Sequence, residues 1–143
     1  TIWPIDPEDP IWVDLESYYR FEDDVTDSKG SNNLVNSNCT FTTGKENECV
    51  VMTASNQMVE AADDTVFDFE RTDSWTFAVW WKRNATGVLN GLSSKQLSVA
   101  PYSGFFFGMY TDNKIRVAVL HSGSAHVYII SLVLLTGSSV ALS

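Results

Sequence analysis

Three acidic groups carry oxygen chemistry that would suit a hard cation: Asp23, Asp24 and Asp27; Asp63, Asp64 and Asp68; and Asp112 beside Asn113. Calcium needs several carboxylate and carbonyl oxygens converging from loops. None of the three groups has EF-hand spacing, and Asp23, Asp24 and Asp27 form the best candidate. Asp-rich turns also arise simply because the side chain bonds local backbone. Aromatic rings offer a second chemistry. In the segment Ser74-Trp-Thr-Phe-Ala-Val-Trp-Trp-Lys82, alternation places Trp75, Phe77, Val79 and Trp81 on one face and Thr76, Ala78 and Trp80 on the other. One face must be core, so Trp80 either stacks on a sugar ring or lies under a neighbouring loop. The run Phe105-Phe106-Phe107 likewise turns at least one ring outward unless both faces are covered, and Phe106 is the second candidate ligand contact.

Catalytic chemistry is harder to assemble. Glycoside hydrolysis would need two carboxylates facing each other across a cleft, and the nearest approach, Asp68-Phe69-Glu70, reads as a solvated pair beside a turn. His121 and His126 stand five apart in a strand-like region and fall on opposite faces. No nucleophile elbow, zinc-protease motif or phosphate-binding glycine loop occurs. These residues argue against an enzyme. Cys39 and Cys49 flank the turn signal at 43–47, which could bring them within bridging distance, and they lack zinc-site companions. Asn38-Cys39-Thr40 and Asn84-Ala85-Thr86 match the glycosylation sequon and read as chance matches.

Positioning such residues requires a folded frame. The 143 residues are 44% hydrophobic and 13% aromatic, enough apolar surface for one globular domain. The formal net charge of −9 repels phosphate backbones and anionic lipid headgroups, which disfavours nucleic acid as a partner. The longest apolar run, 127–135, is too short to span a bilayer and is interrupted by Ser131, so no membrane insertion is expected. The first residues resemble no signal peptide, and the expectation is a chain that is mature or never carried one.

Pro4, Pro7 and Pro10 fall within an acidic opening decapeptide that predicts an extended arm over 1–12, followed by a single domain over 13–143. Trp3, Ile5, Ile11 and Trp12 would be wasted in water, so the arm is expected to dock, on its own domain or on a partner. Residues 15–21 read as a first strand. Period-two segments then follow at 33–41, 49–52, 57–61, 75–82, 88–92, 105–110, 114–120 and 126–135. Glycines and Asp112-Asn113 punctuate them, and no segment sustains a helical period. The predicted class is all-β, an antiparallel two-sheet sandwich.

The order Leu15-Glu-Ser-Tyr-Tyr-Arg-Phe-Glu22, Asp27-Ser-Lys-Gly30, Gly44-Lys45 and Ser74-Trp-Thr-Phe-Ala-Val-Trp-Trp-Lys82 resembles the laminin-G-like, concanavalin-A-like jelly roll over roughly residues 15–120. The resemblance implies a first strand running into a D-S-x-G turn and a tryptophan-bearing strand crossing mid-sheet. The alternating E-x-D-x-x-E strand of the glucanases of that group is missing. His126-Val127 echoes the family's W-H-H-V strand, and the strand that closes the sheet beside the first is either short or missing, or supplied by 137–142. An unpaired first strand would invite another chain.

These features imply a non-enzymatic structural or adhesion module at a particle or cell surface. A phage virion component, such as a decoration, fibre or tail protein, is the favoured setting, on a virion surface or otherwise extracellular. Its partners would be further copies in a homo-oligomer, a neighbouring structural protein or a surface glycan. The alternative is a secreted carbohydrate-binding, lectin-like module, and a hydrolase ranks below both. Calcium is the one cofactor the acidic turns allow.

Overall fold

A computed structural model describes residues 6–69, 73–96, 103–121, 124–131 and 139–142, with side chains placed through residue 119. The chain forms two compact units, Thr1–Val66 and Phe67–Ser143. Strands dominate both, so the all-β class holds. Among the described residues helix is confined to one turn, α1 (Pro10–Val13), and a 3-10 turn at Thr65–Phe67. No helix among the described residues is long and apolar enough to cross a membrane.

In the first unit, the described end of the expected arm turns into a helical turn rather than running extended. Asp9 caps α1 through its carboxylate, which accepts from the Ile11 N–H at 3.0 Å, and Pro10 occupies the first turn. A proline costs nothing there, because its missing N–H would have no helical partner and its ring already fixes a helical φ. Trp12 then packs edge-on against Tyr18 with centroids 5.9 Å apart, and the Lys29 ammonium sits 5.2 Å from the indole centroid. Trp12 thus docks within its own unit. Ile11 and Val13 stay exposed, and Trp3 and Ile5 lie outside the described residues.

Residues 15–21 do not form the expected strand. Their one pairing is an isolated bridge between Tyr19 and Asp27, and Phe21 and Asp23 adopt left-handed φ values of 58° and 59° that turn the chain away. A buried carboxylate organises the segment instead. Asp27 Oδ1 accepts from the N–H groups of Tyr18 at 2.9 Å and Lys29 at 3.0 Å, while Oδ2 accepts from Asn32 at 3.2 Å. The Asp27 N–H in turn donates to Asn33 Oδ1 at 2.9 Å, and the Tyr19 hydroxyl to the Asn32 carbonyl at 2.7 Å. Gly30 is required by this knot, since a Cβ there would stand 2.9 Å from Asp27 Oδ2 and 3.2 Å from the Glu16 carbonyl oxygen.

Two antiparallel pairs complete the unit: β1 (Leu34–Ser37) with β4 (Met58–Ala61), and β2 (Thr40–Thr43) with β3 (Glu48–Val51). The stretch 33–41, expected as one strand, breaks at Asn38, which has φ 60°. Asn36 staples the break, accepting from the Cys39 N–H at 2.8 Å and donating to its carbonyl at 3.2 Å. Both cysteines are free thiols. The hairpin register explains why. Cys49 lies opposite Thr42, three positions along the strand from Cys39, a separation of about 10 Å that no disulfide bridges. Cys39 is buried and its thiol donates to the Met58 carbonyl at 3.3 Å.

In the second unit β6 (Asn90–Gln96), β7 (Gly104–Met109), β8 (Ile115–His121) and β9 (Ser124–Ser131) form an antiparallel meander. β5 (Phe77–Trp80) pairs with β10 (Ser139–Leu142), with Phe77 opposite Leu142 and Trp80 opposite Ser139. Of the expected closing segment 137–142, Ser139–Leu142 do form a late strand, but it pairs with β5 and not with residues 15–21. Phe107, Met109, Ile115 and Val117 form the buried core, and Trp75, Phe77, Val79, Trp81 and Leu92 pack against it. The alternation read from residues 75–81 is thus the one the structure uses. The four small sheets do not close into a barrel.

Asp27 gives the first unit a testable dependence on acid. Burial works against its charge. The N–H groups of Tyr18, Gly30 and Lys29, with the Ser17 hydroxyl, outweigh that, and the carboxyl titrates below its ordinary value. A depressed carboxyl contributes stability above the unfolded pKa, and that contribution disappears as pH falls through the folded one. Asp27→Ala leaves backbone donors unmet and is expected to cost about 2–4 kcal/mol in urea unfolding at neutral pH. Asp27→Asn should flatten the acid limb of a stability-versus-pH curve.

Candidate binding face

Strand β7 divides its residues between two surfaces. Phe105, Phe107 and Met109 alternate onto the core side, and Phe106, Gly108 and, just past the strand, Tyr110 onto the other. The Phe106 ring lies over bare backbone. A Cβ on Gly108 would meet Phe106 Cζ and the Asn90 carbonyl oxygen, each at 2.6 Å, and one on Gly91 would touch Phe106 Cε2 at 3.6 Å. Ala118, opposite Phe106 in the register, adds a third small residue to this floor.

The β7–β8 hairpin sets the other end of the face. The Tyr110 N–H donates to the Lys114 carbonyl and the Asn113 N–H to the Tyr110 carbonyl, each at 2.9 Å. Asn113 takes φ 64°, a left-handed conformation that asparagine tolerates in hairpin loops. This loop places Arg116 opposite Gly108. Its guanidinium carbon lies 4.4 Å from the Tyr110 centroid, and Nη2 pairs with Asp112 Oδ2 at 2.7 Å. Tyr110 also meets Phe106 edge-on, with centroids 5.6 Å apart. Arg83 secures the loop from outside by donating from Nη1 to Asn113 Oδ1 at 2.7 Å, and the Gly87 N–H reaches the same oxygen at 3.2 Å. The result is a row in which the Phe106 ring lies over small residues, Tyr110 stands edge-on to it and the Arg116 guanidinium faces the Tyr110 ring, a mixed aromatic and cationic surface able to meet apolar and polar groups of a ligand.

The two aromatic candidates read from the sequence do not converge. Trp80 is half-buried on β5, on the face turned away from Phe77 and Val79, whereas Phe106 lies on the outer face of the β6–β9 sheet. The shared core lies between these faces, so Trp80 and Phe106 belong to separate surfaces. A second ring cluster, Phe69, Trp75 and Phe105, extends the core, with Phe69 stacked on Trp75 at 5.2 Å, and the Lys95–Asp68 ion pair of 2.6 Å stands in the same unit.

The acidic candidates are engaged locally. Asp27 spends its oxygens on the backbone donors already described. Asp24 Oδ1 accepts from the Thr26 N–H at 3.0 Å and hydroxyl at 2.9 Å, bonds that hold its carboxyl below the ordinary range. Asp23 is exposed, and Asp64 accepts from the Val66 N–H at 3.0 Å. Among the described residues no three His, Cys, Asp or Glu side chains form a group that could hold a metal ion. The calcium expectation at Asp23, Asp24 and Asp27 thus meets a turn built on backbone hydrogen bonds. The side chains of His121 and His126 lie outside the described residues, as does Glu70.

The sequence singles out Phe106, and Asn113 only as a cation candidate beside Asp112; Tyr110, Arg116 and Arg83 were missed. The alternation Phe106-x-Gly108-x-Tyr110 and the Asp112-Asn113 turn were the available signals, because a hairpin closed at that turn sets Arg116 against Gly108. In comparisons with known proteins, no family model, curated protein or solved structure matches the chain.

The floor under Phe106 is open to a direct test. Gly108→Ala puts a methyl group against the Asn90 carbonyl, a backbone atom that cannot rotate aside, and is expected to lower stability by about 1–3 kcal/mol. Thermal or urea unfolding reads the loss, and wild-type stability in this variant would show that the ring and strand shift freely.

Proposed function

We propose that the chain is a non-enzymatic adhesion or display module whose second unit presents the Phe106–Tyr110–Arg116 row to a surface glycan. The observation that carries this reading is the row itself: the Phe106 ring over Gly91 and Gly108, Tyr110 edge-on to it, and the Arg116 guanidinium against the Tyr110 ring. Sugar rings have apolar C–H faces that stack on such surfaces, and their hydroxyls find donors and acceptors at the rim. In this reading the β5–β10 and β6–β9 sheets are the two layers of a concanavalin-A-like sandwich, and the module belongs on a virion surface or in another extracellular setting. A secreted lectin-like module would use the same face.

The first unit favours a second role for the same chain, attachment to further copies or to a neighbouring structural protein. The β1–β4 and β2–β3 pairs are two-stranded, leaving outer edges unpaired among the described residues, and Val35, Met52 and Met58 are exposed nearby in sequence. Unpaired edges bearing apolar side chains recruit further strands. The open edges therefore lie at β1–β4 rather than at residues 15–21, which form no strand.

A glycan array with wild-type protein and the variants Phe106→Ala and Trp80→Ala tests the glycan reading. Binding lost in Phe106→Ala and kept in Trp80→Ala is expected, while loss in Trp80→Ala alone would move the ligand to the β5 face. Light scattering tests the attachment reading. An assembly larger than a monomer is expected, weakened when Val35 is replaced by lysine; a monomer at all concentrations would remove that role.

A further inference from the structure

We infer that the Asp112–Asn113 loop adds a charge-reading position to the aromatic row, so that the preferred glycan carries an acidic substituent, a carboxylate or a sulfate. This inference rests on the glycan reading above. Its starting point is an anomaly of charge. The chain is −9 overall, yet Lys82, Arg83, Lys114 and Arg116, four of its nine Lys and Arg residues, fall in the two segments that meet where Arg83 bonds Asn113.

The two arginines differ in how their charge is met. Arg116 has a carboxylate partner, Asp112, and a ring beneath it. Arg83 is bound to the neutral Asn113 side chain, and its Nε and Nη2 are buried without a hydrogen-bond partner among the described residues, as is Nε of Arg116. A guanidinium presents its donors as a planar fork that matches two oxygens of one carboxylate or sulfate. Buried charged donors left unmet are costly, so an acceptor at the loop that reaches the sealed Nε and Nη2 of Arg83 gains more than it would from a solvated lysine. The loop is a good place for it. Asn113 holds Arg83 while Asp112 holds Arg116, so two cationic forks flank one turn, beside the ring of Tyr110.

The acidic remainder of the molecule does not forbid an anionic ligand. At 0.1 M salt the screening length is about 10 Å, so distant carboxylates count for little beside a charge in contact. Asp112 is the acidic neighbour that matters, and its charge is matched by Arg116 across 2.7 Å.

The test measures binding of the full chain to three soluble polymers: polygalacturonate for carboxylate, dextran sulfate for sulfate, and unmodified dextran as the neutral reference. An acidic polymer is expected to bind roughly tenfold or more tighter than dextran, the scale of one hydrogen-bonded charge pair, and to weaken as salt rises. Whichever of the two acidic polymers binds identifies the group. Arg83→Gln should pull the acidic-to-neutral ratio toward one, and Arg83→Lys, which keeps the charge but loses the fork, should fall between. A ratio near one in the wild type, or one that Arg83→Gln leaves intact, overturns the inference while the glycan reading stands. Failure to bind any of the three polymers, together with a silent glycan array, overturns both.

Discussion

Phe107 is 1% exposed, and its neighbour two positions on, Met109, 2%. Sealing such side chains from water is worth about 1.5–3 kcal/mol each, the strongest single preference available to this strand. It fixes which way β7 faces. Because side chains alternate, the burial of Phe107 and Met109 forces Phe106 and Gly108 onto the opposite surface, and pairing with β8 then sets Arg116 against Gly108. A register slip of one residue would exchange the two sets, exposing the core and burying a guanidinium. The candidate face is therefore held in place by the same hydrophobic constraint that makes the core, with no separate scaffold.

The elements whose burial is one-sided were legible in the sequence. Trp75, Phe77, Val79 and Trp81 alternate without interruption, and that face packs on Phe107 and Val117. Strand β7 and the Asp112-Asn113 turn were readable for the same reason: apolar period two ending at residues that accept left-handed φ. Residues 15–21 misled because tyrosines and phenylalanine at strand-like spacing say nothing about a positive φ at Phe21, which comes from the turn beyond it. The opening prolines misled differently. Three prolines in ten residues read as extended chain, but Pro10 directly after an Asp cap is the one position where proline starts a helix. The partners of Phe106 were invisible because they arrive through hairpin register and a long-range Arg83–Asn113 bond, thirty residues apart in the chain.

The acidic surplus has a related explanation in the first unit. Asp9, Asp24, Asp27 and Asp64 each accept from nearby N–H groups, and Asp27 alone collects donors from Tyr18, Lys29 and Asn32. A unit with short strands leaves many backbone donors outside any ladder, and short carboxylate side chains satisfy them. Part of the negative charge thus serves irregular backbone. Carboxylates engaged in this way have fewer oxygens to offer a cation, so a cluster of aspartates in sequence need not become a cluster in space.

The same contrast separates the units in what they can do. In the first, polar groups are consumed in holding loops, and apolar side chains such as Val35 and Met58 are left outside. In the second, the regular meander meets its own backbone needs, and arginine, tyrosine and asparagine side chains are released to build a surface. On the proposed function, attachment would fall to the strand edges of the first unit and recognition to side chains on the face of the second, residues that the core positions but does not consume. Arg83 and Arg116, placed by the Asn113 bond and by the hairpin register, bring the guanidinium chemistry to that face.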